Sequence, residues 1–219
     1  TAALLLGRSS RPVALLGSGV LLDPDGAGAL ARAVGTLGLP VYLSGMARGL
    51  LGTASPLQCR HRRSEALREA DLVLLAGVPC DFRLDYGRQI GRSAAVLSAN
   101  RDSAARSLNR RPTLGVGGDP GLFLRELSDA VPGGFPRPEW LARLRERDAA
   151  RDAEISAAPD GERGALDPVA LCRSLEESLP EDGLVVADGG DFVATASYVL
   201  RPRAPLSWLD PGVFGTLGV

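Results

Sequence analysis

The chain has 219 residues, 45% apolar and 23% charged, with a formal net charge of -1. These are the values of a folded globular chain and not of a disordered one, and the charge gives no electrostatic case for nucleic acid or an anionic membrane as partner. All 25 basic residues are Arg, so no Schiff-base or P-loop lysine lies within these residues. Cys59, Cys80 and Cys172 are widely spaced and there is a single His, His61. That pattern fits free, buried or half-buried thiols and not a zinc site or a disulfide framework. No apolar run reaches the roughly 20 residues of a membrane span. No secretory leader stands at Thr1, whose context reads as the interior of a longer chain.

In chain order, Thr1 to Ser10 reads as a helix tail and connector. Pro12 to Leu16 is a buried strand closed by Gly17-Ser18-Gly19. Asp23-Pro24-Asp25 supplies an N-cap with Pro at the first helical position. Leu30, Val34 and Leu37 keep helical spacing, and Gly38 ends that helix. Val41 to Leu43 is the next strand, which makes the first two strands parallel. Gly17 and Gly19 do not complete a dinucleotide fingerprint, because the third glycine would fall at Leu22. A tight turn that needs small residues is the favoured reading.

Ser44 to Pro56 is a glycine-rich loop of the kind that serves a ligand or a neighbouring domain. Arg60-His61-Arg62-Arg63 reads as a solvated helix start, with an anion contact as the sharper alternative and His61 exposed. Glu65 to Gln89 is the stretch around which the chain is organised. It gives a short helix, the turn Ala70-Asp71, and the uninterrupted apolar strand Leu72 to Ala76, buried on both faces. Gly77-Val78-Pro79 then stands at the carboxyl end of that strand, where open α/β sheets gather ligands. A strand over Ala94 to Ser98 carries Asn100-Arg101-Asp102 beyond its carboxyl end. Thr113 to Val116 is a further strand, and Gly118-Asp119-Pro120 caps a helix over 121–131.

The expected fold is therefore α/β: a Rossmann-like parallel sheet of five or six strands flanked by helices over residues 1–132. Residues 133–164 form a linker with a charged helix, Glu139 to Ala157, amphipathic through Trp140, Leu141 and Leu144, whose alternating charges predict a solvated connector and not a binding helix. Residues 165–219 open a second α/β domain. Asp167-Pro168 starts a helix to Leu179, Gly183 to Ala187 is a strand, Asp188 to Asp191 a turn, Phe192 to Leu200 a helix, and Leu206 to Leu209 a strand. The glycine-rich run from Gly215 to Val219 has no helix after it and reads as a truncated unit.

Several runs resemble a known family. They are Met46-Ala47-Arg48-Gly49-Leu50-Leu51, Arg63-Ser64-Glu65-Ala66-Leu67, Ala70 to Gly77, and Asp85-Tyr86-Gly87. They are similar to the central domain of thiamine-diphosphate enzymes of the acetolactate synthase group. Val185 to Phe192 and Trp208 to Val219 resemble the opening of that family's diphosphate-binding domain. Cys80-Asp81-Phe82-Arg83-Leu84 and the Trp208–Val219 run are the most specific parts.

The resemblance implies carbon–carbon lyase chemistry on a 2-hydroxyacyl-CoA, as in fatty acid alpha-oxidation, giving a one-carbon-shorter aldehyde and formyl-CoA. It implies thiamine diphosphate as cofactor and Mg2+ held by residues beyond Val219. Gly190, Asp191 and Phe192 match positions beside the diphosphate, and Gly215 and Leu217 match positions that hold the cofactor bent. No catalytic side chain is assigned within these residues. Gly17, Gly19, Arg48, Gly77, Arg83, Asn100 and Arg101 are candidates for holding CoA or another nucleotide. Two departures weaken that last pocket: Pro79 and Asn100 stand where relatives often carry an Arg and an acid.

The resemblance also implies a homodimer or homotetramer and an endoplasmic reticulum membrane location through a segment outside these residues, with a cytoplasmic location as alternative. An FAD-bearing carboligase and a non-catalytic scaffold are the rival readings.

Overall fold

Strands Pro12–Leu16 (β1) and Leu72–Ala76 (β3) carry no polar residue and are buried along their whole length. In the computed structural model, which describes residues 1–157, 166–210 and 212, they are interior strands of one parallel sheet. With Val41–Leu43 (β2), Ala95–Asn100 (β4) and Leu114–Gly117 (β5), the order is β2-β1-β3-β4-β5. The α/β expectation holds, with five strands. The chain order reverses between β1 and β3, which is the switch point of such sheets.

Side-chain alternation turns these apolar strands into two cores. Helices Ala27–Leu37 (α2) and Pro120–Ala130 (α5) pack Leu30, Val34, Leu124 and Leu127 on Ala14, Leu16, Leu72, Leu74 and Leu97. Helices Arg63–Glu69 (α3) and Pro138–Ser156 (α6) pack Ala66, Leu67, Trp140 and Leu144 on Val13, Leu15, Val73, Leu75 and Val96. Each fully buried Leu in these layers contributes about 1.5–3 kcal/mol.

The charged helix is therefore no solvated connector. Trp140 and Leu144, one turn apart, are 5% and 1% exposed, and Trp140 Nε1 donates to the Pro12 carbonyl at 3.1 Å. The apolar stripe through Trp140, Leu141 and Leu144 is legible in the sequence, and it outweighs the alternating charges around it. The start of α2 also differs. The helix begins at Ala27, because Asp23 Oδ1 accepts from the Gly26 amide one turn earlier (3.1 Å) and Asp23 pairs with Arg125 (3.2 Å). The other caps are as expected: Gly38 closes α2 at φ +66°, and Asp119 caps α5 through the Gly121 and Leu122 amides.

Three strand ends are clasped together. The amide of Gly17 donates to the Ala76 carbonyl (2.9 Å) and that of Gly19 to the Gly77 carbonyl (3.2 Å). A Cβ on Gly17 would stand 2.6 Å from the Gly77 oxygen, and one on Gly77 would stand 2.6 Å from the Gly19 carbonyl carbon. Gly77 also sits at φ +64°, where L side chains are strained. Ser18 Oγ accepts from the Met46 amide at 3.0 Å, which adds the β2 loop to the clasp.

A second, two-stranded parallel sheet joins Val185–Val186 (β6) to Trp208–Leu209 (β7), with helices Pro168–Ser178 (α7) and Asp191–Val199 (α8). The Ser44–Pro56 loop backs onto this unit: a Cβ on Gly49 would stand 2.4 Å from the Ala204 oxygen. Arg60 fixes α8 from its carboxyl end. Its Nη2 donates to the carbonyls of Tyr198 (2.9 Å), Val199 (3.2 Å) and Leu200 (2.9 Å). That meets orphan carbonyls with a cation on the favourable side of the helix dipole.

His61 is buried, not exposed, and its Nε2 lies 3.0 Å from Asp152 Oδ1. The Arg60 and His61 amides both donate to Asp148 Oδ1, at 2.7 and 2.6 Å. The basic cluster is thus a buried junction with α6, because two carboxylates 87 or more residues along the chain receive it.

The Asp71 carboxylate ties the start of β3 to the chain before β1, accepting from Ser9 Oγ, the Ser10 amide (2.8 Å) and the Arg11 amide (3.0 Å). Burial alone would raise its pKa; the bonds from Ser9, Ser10 and Arg11 outweigh it and hold it below the ordinary value. A depressed carboxylate stabilises the fold above its unfolded pKa and loses that contribution as pH falls through the folded value. In urea unfolding of the intact protein, Asp71→Asn should therefore destabilise at neutral pH, with the gap from wild type closing in acid.

Two further outcomes follow from the packing. Gly77→Ala should cost more than about 1 kcal/mol, whereas Gly35→Ala, on an exposed helical position with nothing near its Cβ, should be neutral or stabilising by up to about 1 kcal/mol. Arg60→Met should speed amide hydrogen exchange in α8 while leaving β1 and β3 protected.

Candidate functional site

Gly190 immediately precedes α8 and sits at φ +82°, with nothing within 4 Å of where a Cβ would be. Asp188 Oδ1 accepts from the Gly189 amide at 2.7 Å and shapes the turn. Among the described residues, no side-chain hydrogen bond caps α8. Uncapped amides at a helix start beside a glycine are the arrangement that receives an anion such as a diphosphate. Gly190 and the backbone of Asp191 and Phe192 fit that role, and Phe192 is half-exposed beside them. Gly215 and Leu217 lie outside the described residues.

Beside α8, Ser44, Arg48, Phe82, Val193, Ala194 and Asp210 help to line a mostly apolar cleft of about 270 Å³. Arg48 lies over the Trp208 ring at 5.5 Å and its Nη1 is 3.5 Å from Asp210 Oδ2. Trp208 Nε1 donates to the same oxygen at 2.8 Å, and Trp208 is fully buried. Burial draws the Arg48 pKa down to about 10, with Asp210 opposing. Arg83 forks onto Asp81, with Nε 3.1 Å from each carboxylate oxygen and Nη2 2.8 Å from Oδ2.

The structure thus brings Arg48 and Arg83 together beside α8, each engaged by a carboxylate of this chain. It places the other nucleotide candidates apart from them. Gly17, Gly19 and Gly77 meet backbone to backbone at the switch point. Asn100 ends β4, and its Oδ1 accepts from the Asp102 amide at 3.2 Å. Arg101 is exposed, with no hydrogen bond or ion pair among the described residues. Sequence reasoning missed Asp210 and Phe82 as walls of the cleft. Their signal lay inside the two most specific runs, Cys80–Leu84 and Trp208–Val219, and was read there as family likeness alone.

Proton transfer finds no agent among these groups. Cys59, Cys80 and Cys172 are free and buried. Burial pushes the Cys59 thiol up to about 12 and the Cys80 thiol to about 11, which keeps both protonated and unreactive. Among the described residues, no group of three His, Cys, Asp or Glu could hold a metal ion. What these residues offer is binding and orientation.

Residues 1–127 match the family described as thiamine pyrophosphate enzyme, central domain. The chain is 46% identical to 2-hydroxyacyl-CoA lyase 2 of Danio rerio and 45% identical to that of Homo sapiens, in each case over 98% of this chain and 35% of the relative. It is 37% identical to an acetolactate synthase large subunit of Mycobacterium tuberculosis, over 99% of this chain and 39% of that protein. The chain therefore spans about a third of the length of the lyase relatives it matches, 35%. It belongs to the thiamine pyrophosphate enzyme family, and residues 1–127 are its central domain.

Proposed function

We propose that the complete protein is a thiamine-diphosphate-dependent 2-hydroxyacyl-CoA lyase. The observation that carries this reading is the identity of 43–46% to six relatives named 2-hydroxyacyl-CoA lyase 2, against 37% to acetolactate synthases. In the reaction the C1–C2 bond of the 2-hydroxyacyl-CoA breaks. The C2 hydroxyl gives up its proton as C2 becomes the aldehyde carbon, and C1 gains a proton and leaves as formyl-CoA. Thiamine diphosphate, when bound, supplies the electron sink that this cleavage needs.

This chain's own part is to hold and orient. The uncapped start of α8 and the open turn at Gly190 support the diphosphate through backbone amides. Mg2+ belongs to the same proposal, with ligands supplied outside the described residues. By the likeness of the Trp208–Val219 run to its relatives, Gly215 lets the backbone approach the cofactor and Leu217 is a rigid apolar wedge that keeps it bent. The Phe82, Val193 and Ala194 side of the cleft supplies an apolar wall beside α8. A homo-oligomeric assembly and an endoplasmic reticulum location rest on the family resemblance.

The test uses the intact protein with thiamine diphosphate, Mg2+ and a long-chain 2-hydroxyacyl-CoA, with mass spectrometry of the products. A shortened aldehyde that requires the cofactor is the expected result. Cofactor binding with no aldehyde, and a carboligation product from 2-oxoacids instead, would overturn the reading. Within the active enzyme, Leu217→Ala should lower kcat by roughly 10-fold to 100-fold, with cofactor affinity little changed. An unchanged kcat would remove the wedge role.

A further inference from the structure

A cleft of about 300 Å³ lies where β2, the Arg60–Ser64 segment and α8 meet, and Arg48, Arg60, Arg62 and Arg63 all line it. Three of these cations are balanced. Arg48 faces Asp210 at 3.5 Å, Arg60 faces Asp152 at 3.7 Å besides its three carbonyls, and Arg62 faces Glu65 at 3.4 Å and Glu154 at 3.5 Å. Arg63 has no carboxylate among the described residues. Its Nη2 donates to the Arg83 carbonyl at 2.8 Å, and the Arg83 guanidinium beside it is already held by Asp81. Burial lowers the Arg63 pKa and the Arg83 charge lowers it further; Tyr42 and the Asp81 carboxylate, which is already forked by Arg83, oppose this without reversing it.

A buried cation without a counter-ion is among the costliest groups a fold can carry. The same cleft holds three other unfinished groups. Gln58 Oε1 and Gln89 Oε1 are buried without a hydrogen-bond partner, and so is Arg60 Nη1. Rotating either amide by half a turn would present its NH2 to the same space. Tyr42 and Tyr198 add walls to the cleft. An excess of forked donors, exposed at Arg62 and half-buried at Arg60 and Arg63, around a space this size matches a tetrahedral oxyanion, for which guanidinium is the geometric partner.

We propose that this cleft is a phosphate-binding site with Arg63 as its anchor. The geometry alone carries the phosphate; its assignment to a phosphate of an acyl-CoA substrate rests on the lyase reading, with free diphosphate as the other source. It lies at the carboxyl end of α8, whose amino end is the candidate cofactor site, so one helix would register the two ligands against each other.

The test is calorimetric titration of the intact, cofactor-saturated protein with CoA, with pantetheine, which lacks the phosphates, and with inorganic pyrophosphate. Wild type should bind CoA more tightly than pantetheine, and pyrophosphate should compete with CoA. Arg63→Gln should weaken CoA and pyrophosphate about tenfold or more, bring CoA down to the level of pantetheine, and leave thiamine diphosphate affinity unchanged. Arg63→Lys should recover part of the loss. Gln89→Glu, which fixes a carboxylate in the same space without touching Arg63, should reproduce it.

A pyrophosphate loss with CoA unaffected would assign the site to free diphosphate and overturn the CoA source. CoA and pyrophosphate affinities that stay at wild-type values in both Arg63→Gln and Gln89→Glu would overturn the site. Loss of pyrophosphate binding in a protein that makes no aldehyde would support the site while the lyase reading fails.

Discussion

Gly17, Gly19 and Gly77 meet where the chain order of the sheet reverses, and their backbones approach so closely that a Cβ on Gly17 or Gly77 would clash at 2.6 Å. Much else hangs from that contact. It stacks the turn after β1 on the end of β3, and through Ser18 Oγ and the Met46 amide it also fixes the loop after β2. That loop carries Arg48 to Asp210 and the Trp208 ring, and it sets Gly49 against the Ala204 carbonyl. The three-glycine clasp is thus the first link in a chain of contacts that ends at α8. Glycines at a switch point invite a nucleotide reading, but here backbone-to-backbone packing is sufficient reason for them.

Charge completes what the clasp begins. The junction between the two sheets is held by guanidinium groups that lie inside, not on the surface. Arg60 meets the last carbonyls of α8, and Asp148 and Asp152 of α6 receive the Arg60–His61 segment. Arginine suits this work because its planar fork satisfies several acceptors from one side chain and resists deprotonation on burial. The same property leaves a charge behind wherever carboxylates run out, and among the described residues none pairs with Arg63, whose Nη2 meets only the Arg83 carbonyl.

Much of the sheet was legible in the sequence because its signals are local. Leu72 to Ala76 is an unbroken apolar run, Asp119-Pro120 and Asp167-Pro168 are caps with Pro at the first helical position, and Gly38 is a left-handed helix end. The failures share a cause of the opposite kind. Arg60-His61-Arg62-Arg63 reads as solvated unless Asp148 and Asp152 are known to fold back over it. The charged helix reads as a connector because its stripe, Trp140, Leu141 and Leu144, is set among alternating charges and its neighbours Arg143 and Arg147 are charged yet occupied, both bonded to Glu69. Asp23 has the right composition for a helix cap, but its side chain serves the preceding turn. At the candidate site, the backbone of Gly190 to Phe192 was legible as a turn into a helix, whereas the cavity beside Arg63 depends on three segments distant in sequence.

The central claim is that ligand chemistry in this part of the protein gathers around α8, at its uncapped start and at the arginine-lined cleft by its end, and not over the clasped glycines. The most direct measurement is an experimental structure of the complete protein with thiamine diphosphate and a non-cleavable 2-hydroxyacyl-CoA analogue. The account predicts the cofactor diphosphate against the amides of Gly190 to Phe192 and a CoA phosphate within hydrogen-bond distance of Arg63. A CoA lying over Gly17, Gly19 and Gly77, with Arg63 paired to a carboxylate from elsewhere in the assembly, would contradict it.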